Sequence, residues 1–552
     1  MNLATTQRRP RMPMGPRFMR FSLMALAALL AGCTAVGPNY HAPASPAPSS
    51  WQDWRSGSRD GESAATIDTA PLSAQWWTLF DDVTLNALQV RAAQASPDLR
   101  SAALRYAQSR TQRLTVAAQR GPVVNATGAA TRQRQSEYSA GTRLADAVAP
   151  ANREELVSVL SQPYTLYQGG FDASWEPDLW GRVRRAIESA DASVDNAAAL
   201  LDQVRLAVAS ELARDYFELR LAQQQRQLLD QDIAAARDSL SLLQARAQGG
   251  LVDDLDVSRQ RTQLADLQSR MPDLRAREAA LMNQIGLLVD ARPGELTAML
   301  ATAPTATVAD MPAALPAKLP DLSLGVPSDV ALQRPDIRAA AARLHAATAE
   351  IGVAVADLYP RITLGATFGF ESYEGSRFGE WGTRSWQIGP SLILPIFDQG
   401  RRRATIVLRE LVQQEAAVAY QRTVLQAWQE IDDALTGYDA ERARNMRLRE
   451  KATASRQAYE LAQARYAGGL TDFLVQLDAE RSYLQARRDL SDSNHQLFVR
   501  LIAIYKSVGG GSPEALQAQT VLPQATPGRS GAPDTTAARA AAGASSGPPA
   551  TP

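Results

Sequence analysis

The chain has 552 residues, and its 58 basic side chains are matched by 58 acidic ones. Five of the bases, Arg8, Arg9, Arg11, Arg17 and Arg20, fall in the first 32 residues, which hold no acid, so the remainder is net acidic. That balance lacks the concentrated basic face of a nucleic-acid binder; with His41, His345 and His495 scattered and one cysteine, there is neither a zinc-spaced ligand set nor an internal disulfide. Gly-x-Ser-x-Gly and lysine-terminated phosphate loops are also missing, so the common catalytic motifs are not there to build on. Length alone suggests three or four domains. The abundance of Ala, Leu, Gln and Arg with few aromatics instead describes long helices.

Along the chain, a basic stretch ending at Arg20 is followed by the apolar run Phe21 to Leu30 and then Leu30-Ala31-Gly32-Cys33. The run is too short to span a bilayer, which takes about 20 residues, and its flanks are those of a secretory signal over 1–32. Small residues before Cys33 make it either a lipidated first residue of the mature chain or an incidental cysteine after an ordinary signal. Residues 33–72 are rich in Pro, Ser and Ala and read as an extended tether. Structure should begin near Trp76-Trp77, with a short helix over 83–95 and a second from Pro97 to about Arg120. Proline suits the first helical position, and Asp98 favours the positive helix end.

The pattern then changes period. Ile362, Leu364, Ala366, Phe368 and Phe370 alternate with Arg361, Thr363, Gly365, Thr367 and Gly369, and a return segment over 385–396 alternates likewise. Period-two alternation with one polar or glycine face predicts strands. A weaker pair covers 123–131 and 164–176, joined by a longer loop. Each hairpin precedes a stretch without proline, predicting helices over 182–248 and 401–467. The spacing of Val183, Ile187, Ala190, Val194, Ala197 and Leu201 is that of a coiled-coil seam. Gly249-Gly250-Leu251 and Gly468-Gly469-Leu470 should end these helices, glycine being the easiest residue in a left-handed cap. Returning helices follow over 253–288 and 472–506, a Pro/Ala linker spans 301–326, and the Ala/Pro/Gly/Ser-rich tail over 511–552 reads as disordered.

Much of this occurs twice. Pro97-Asp98-Leu99-Arg100 to Pro122 returns without a gap as Pro335-Asp336-Ile337-Arg338 to Pro360, and the two Gln-Ala-Arg segments precede equivalent glycine tips. The chain therefore divides into halves over 73–300 and 327–510, too long for solenoid repeats. Four strands cannot close a barrel, for which about eight is the practical minimum, and lipid tolerates no open sheet edge. Either several copies share one membrane barrel, or the strands form a soluble subdomain capping a helical bundle.

With the leader, Trp76-Trp77-x-x-Phe80, Ser174-Trp175-Glu176-x-Asp178-Leu179-Trp180-Gly181-Arg182, Val326-Pro327-Ser328 and Arg334-Pro335-Asp336-Ile337-Arg338-Ala339-Ala340, the chain resembles the NodT/OprM-type outer membrane efflux lipoproteins of the TolC superfamily. The departures are Pro177, where a leucine is common, and the tail. The resemblance implies a mainly α fold with a membrane β-barrel portion. Specifically, it implies a homotrimer with a twelve-stranded barrel and an α-helical tunnel, lipid-anchored at Cys33 in the outer membrane and extending into the periplasm. It implies a passive, gated efflux duct without cofactor or catalysis, working with a periplasmic adaptor and an inner-membrane RND-type pump. A protein-secretion duct of the same fold and a non-conducting coiled-coil envelope lipoprotein are the alternatives. Adaptor docking would fall on Gly249, Gly250, Leu251, Gly468, Gly469 and Leu470. The gate would use Asp256 hydrogen-bonded to Tyr466, with Asp478 forming a cation-attracting ring in the trimer; Val475 stands where a further acid is common and Thr471 where some members have arginine. As residues alone, Asp256 and Asp478 have the alternative reading of solvated helix charges, and Asp253, Asp254 and Asp472 that of helix caps.

Overall fold

The computed structural model describes residues 35–44, 75–139, 152–301 and 333–510, with isolated residues between these stretches. The signal segment, Cys33, most of the 301–326 linker and the tail after residue 510 lie outside the described residues. The first ordered helices are α1 (Val83–Ala95), capped by the Asp82 carboxylate accepting from Leu85 N–H at 2.9 Å, and α2 (Pro97–Ala117), continued by a 3-10 turn to Arg120. Strand β1 (Val123–Gln133) leads through α3 (Arg153–Leu160) to β2 (Tyr164–Trp175). Helix α3 was expected only as loop; Glu154 and Glu155 in its first turn complement the helix dipole, and Val157 buries inward. Next come α4 (Arg182–Gln248) and α5 (Asp254–Leu288). The second half repeats the plan with α6 (Pro335–Ala356), β3 (Arg361–Ser372), β4 (Arg384–Ile393), α7 (Arg401–Ala467) and α8 (Phe473–Ser507).

Strand β4 ends short of the expected 396, with Pro395 just beyond it unable to donate to a ladder. Helices α4 and α7 each hold 67 residues, roughly 100 Å at 1.5 Å per residue. Each folds back on its 35-residue partner, α5 or α8, as an antiparallel hairpin. The N-terminal segment is not a free tether: residues 36–40 lie across α4 and α6, and Ile67–Asp68 pairs in parallel with Leu322–Ser323 of the linker.

The four long strands form one antiparallel sheet in the order β1-β2-β3-β4. Register sorts its faces. Ala126, Phe171, Phe368 and Trp386 lie opposite one another across all four strands, and so do Asn125, Asp172, Thr367 and Gln387. These two rows are adjacent along the strands, so they project from opposite faces. One face is apolar and the other polar; among the described residues β1 and β4 are the unpaired edges.

The main core lies where both halves of the chain meet. Trp76, fully buried, stacks on Tyr505 of α8 with ring centroids 5.4 Å apart, and Phe217 of α4 stacks on Phe498 of α8 at 4.6 Å. Tyr216 of α4 donates to Asp82 at 2.6 Å, tying the α1 cap to the long helix. Arg334, also buried, holds Asp336 and Glu430 of α7 at 2.6 and 2.7 Å and donates to the carbonyls of Ala427 and Ser507. Removing the Trp76 ring leaves a cavity between the N-terminal segment and α8. Trp76→Ala should cost about 3–5 kcal/mol, read as a lowered thermal midpoint of the solubilised protein, while Trp381→Ala on the exposed strand loop should leave the midpoint nearly unchanged.

Candidate functional site

The two helix tips are built alike. After α4, Leu251 N–H donates to Arg246 C=O and Gly250 N–H to Ala247 C=O, both at 2.9 Å. After α7, Leu470 donates to Arg465 at 2.9 Å and Gly469 to Tyr466 at 3.0 Å. This paired pattern is the Schellman cap, which needs a left-handed residue; Gly250 and Gly469 supply it with φ of 69° and 71°. The leucines that follow, Leu251 and Leu470, are 77% and 79% exposed. Asp253 caps α5 through a 3.3 Å bond from Leu255 N–H, whereas Asp472 precedes α8 without a side-chain cap bond.

The tips pack on each other through Leu243 of α4, Val257 of α5, and Phe473 and Leu477 of α8, with Tyr466 partly buried against them. The Tyr466 ring lies 5.6 Å from that of Phe473, and the Arg246 guanidinium sits 5.6 Å from its centroid. The bond expected between Asp256 and Tyr466 is not made within the chain. Asp256 pairs with Arg259 at 3.3 Å, one helical turn on, and the Tyr466 hydroxyl is buried without a hydrogen-bond partner. An i,i+3 arginine on the same helix reaches the aspartate without crossing to the other tip. Asp478 is exposed on α8, and among the described residues no side chain pairs with it. Sequence reading missed Arg246; the signal was that Gln-Ala-Arg occurs at both tips but only the second is followed by tyrosine.

At the other end of the helices, Glu176 joins the two halves. Its carboxylate accepts two bonds from Arg182 at 3.0 Å each, and two from Arg361 of β3 at 2.9 and 2.6 Å. Burial alone would raise its pKa, but the bonds from Arg182 and Arg361 hold it below the ordinary carboxylate value. Asp178 caps α4 by accepting from Val183 and Arg184 N–H at 3.0 and 2.8 Å. Both acids are spent on the strand-to-helix junction rather than on a paired-acid site. Between tips and junction, Glu480 of α8 faces Asp232 of α4, which also meets Arg487, and lies near Tyr459 and Arg481. Burial first, then the Asp232 charge, pushes the Glu480 carboxyl up. No group of three or more potential metal ligands occurs among the described residues.

The polar sheet face, the paired tips and the long helical hairpins define a membrane-channel architecture. The family model described as outer membrane efflux protein matches residues 88–287 and 326–510. The chain is 31% identical over 492 residues to outer membrane protein OprJ of Pseudomonas aeruginosa, covering 89% of this chain and 95% of the relative. It is 27% identical over 495 residues to the solvent efflux pump outer membrane protein SrpC of Pseudomonas putida, covering 89% and 99%. The solved outer-membrane channel OprN superposes with a TM-score of 0.73 at 33% identity, covering 86% of this chain and 99% of that one. The Campylobacter jejuni CmeC outer membrane channel shares the fold, with a TM-score of 0.76 at 21% identity, covering 89% and 99%. The chain belongs to the outer membrane efflux protein family.

The Glu480 environment gives a pH dependence of definite sign. A carboxyl with a raised folded-state pKa favours the folded form below its ordinary value near 4.5, and this contribution is lost as pH rises through the raised value. Glu480→Gln, neutral throughout, should raise the thermal midpoint at pH 8 and change it little at pH 4. An equal shift at both pH values would mean that the glutamate charge is not what the site resists.

Proposed function

We propose that the protein is the outer membrane duct of a tripartite efflux system, a passive conduit that performs no chemistry. Three chains would close a twelve-stranded barrel in the outer membrane and continue it as a helical tunnel into the periplasm. The observation that carries this reading is the sheet: a polar row crosses all four strands, an apolar row lies behind it, and both edges are open. A bilayer permits such a sheet only when other copies pair its edges. A non-conducting spacer has no use for a polar face there. On the helices, Val407, Leu411, Val418 and Leu425 of α7 form an exposed apolar stripe at near-heptad spacing, the seam expected between copies.

The tips would be both gate and docking point. Tyr466, gripped by Arg246 and Phe473, closes the pore. Asp256 acts through Arg259 rather than through Tyr466, and Asp478 supplies an unpaired negative charge near the constriction. Leu251 and Leu470 offer exposed apolar knobs to a periplasmic adaptor, through which an inner-membrane pump delivers small toxic compounds; Gly249, Gly250, Gly468 and Gly469 shape the turns that present them. Cys33 would carry the lipid anchor.

Purified protein in a planar bilayer should show low conductance that rises when the gate is loosened. Arg246→Gln removes a cation–π contact of about 1 kcal/mol, a roughly fivefold increase in open occupancy. Absence of conductance from Arg246→Gln and Tyr466→Ala alike would reject the duct. Leu411→Glu with Val418→Glu should convert the solubilised trimer to monomer, read by light scattering. In a deletion strain, Leu251→Asp with Leu470→Asp should fail to restore compound resistance while remaining trimeric, since burying a leucine is worth about 1.5–3 kcal/mol and its loss weakens docking tenfold or more at each tip.

A further inference from the structure

On the apolar face of the sheet, near its helix end, lies a groove of about 320 Å³ lined by Pro122, Ala173, Trp175, Leu364, Ala366 and Ile388. Its origin is legible in the register. Ala173 stands opposite Ala366, and Ala366 opposite Ile388, so two small side chains form a floor between larger walls. Trp175 stands opposite Leu364 and is fixed by its indole N–H donating to Arg120 C=O at 2.9 Å. The groove is therefore shaped in advance for a slender apolar occupant.

The N-terminal segment is held at the same end of the sheet, beside the strand-to-helix junction that follows Trp175. Val36 N–H donates to Trp180 C=O at 3.0 Å, and Ala35 lies so close to Gly181 that a Cβ there would stand 2.5 Å from its methyl. Buried Arg185 donates to Val36 C=O, Gly37 C=O and the Asn39 side-chain oxygen at 3.1, 3.3 and 2.7 Å, and is itself held by Glu188. Gly37 presses its backbone on Gly352 of α6, where a Cβ would come within 2.5 Å of the Gly352 Cα, and Tyr40 stacks on His345 at 4.2 Å. The segment is thus clamped along its length, with its described end at the strand-to-helix junction. Trp180, which receives Val36, donates its indole N–H to Pro360 C=O at 2.8 Å. Leu364 lies four residues further along the chain, roughly 13 Å at strand rise. Cys33 is three residues before Val36 in the sequence, a length of chain that spans at most about 10 Å, and one leaflet of hydrocarbon is about 15 Å deep.

We propose that this groove seats an acyl chain borne by the protein's own Cys33, an inference that rests on the lipidation of Cys33 proposed above. The clamped segment then fixes the anchor against the barrel wall instead of leaving it to roam the leaflet. To test this, cells are fed a photoactivatable, clickable fatty acid, and the full-length protein is irradiated in its membrane, purified and digested. The expected product is the Cys33 peptide joined through its acyl chain to peptides containing Trp175 or Leu364. Ala366→Phe, which fills the floor from a membrane-facing position, should reduce that product at least tenfold while conductance and trimer are retained. An acylated Cys33 peptide crosslinked only elsewhere, phospholipid adducts alone in the groove, or a yield unaffected by Ala366→Phe would each overturn the proposal. A Cys33 peptide without any acyl chain would overturn the lipidation itself, and the mass of that peptide separates the two failures.

Discussion

Everything in this molecule is arranged around the backbone hydrogen bonds at the two ends of one sheet. In hydrocarbon, an unpaired peptide N–H or C=O costs several kcal/mol, and β1 and β4 each present a row of them. A chain with this sheet cannot enter a membrane alone. Copies must pair edge to edge, and once they do, the polar row from Asn125 to Gln387 encloses water while the row from Ala126 to Trp386 meets lipid. The same copies bring their helices side by side, which gives the exposed α7 stripe of Leu411 and Val418 something to bury. Barrel and tunnel are consequences of the same pairing requirement.

The internal duplication supplies equal sectors, but four substitutions between the halves break the equality where it matters. Glu176 of the first half reaches across to Arg361 of the second, while the equivalent position in the second half is Pro395, which cannot reciprocate. Ala247 at the first tip becomes Tyr466 at the second, giving Arg246 an aromatic face that Arg465 lacks in return. The Asp256–Arg259 pair of α5 becomes Val475 and Asp478 on α8, so the acid at this place is paired on the first hairpin, while on the second Asp478 has no partner among the described residues. Repetition makes the two hairpins alike, and these differences leave the two tips chemically unequal.

Elements with a strong local period were legible in the residues alone: alternation marked the strands, most clearly β3 and β4, proline-free stretches marked α4 and α7, with a heptad seam in α4, and the glycine pairs marked the caps. What escaped was decided by contacts between residues far apart in the chain. Helix α3 has a weak eight-residue pattern inside a polar loop, and only the burial of Val157 distinguishes it. The Arg185 clamp joins positions nearly 150 residues apart, and no spacing rule signals that a Pro/Ser/Ala-rich segment will be gripped. Within one chain the tip lacks the contact expected between Asp256 and Tyr466. Tyr466 and Asp256 are both present, but Arg259 lies closer to the aspartate along its own helix, and local pairing won over pairing across the tips.

These observations also determine where the molecule can yield. The junction is held by four charged hydrogen bonds to Glu176 and by the clamped N-terminal segment, and the middle by the stacked aromatics Trp76, Tyr505, Phe217 and Phe498. Opening at either level would expose large aromatic surfaces or strand a buried charge, which costs several kcal/mol. At the tips the two hairpins meet through Leu243, Val257, Phe473 and Leu477, reinforced by one arginine over one tyrosine. A contact of that size can be exchanged for a partner's leucine-sized surface at nearly equal free energy. In the duct proposed above, the end that a partner can touch is therefore the one free to move, and the end that lipid surrounds stays rigid.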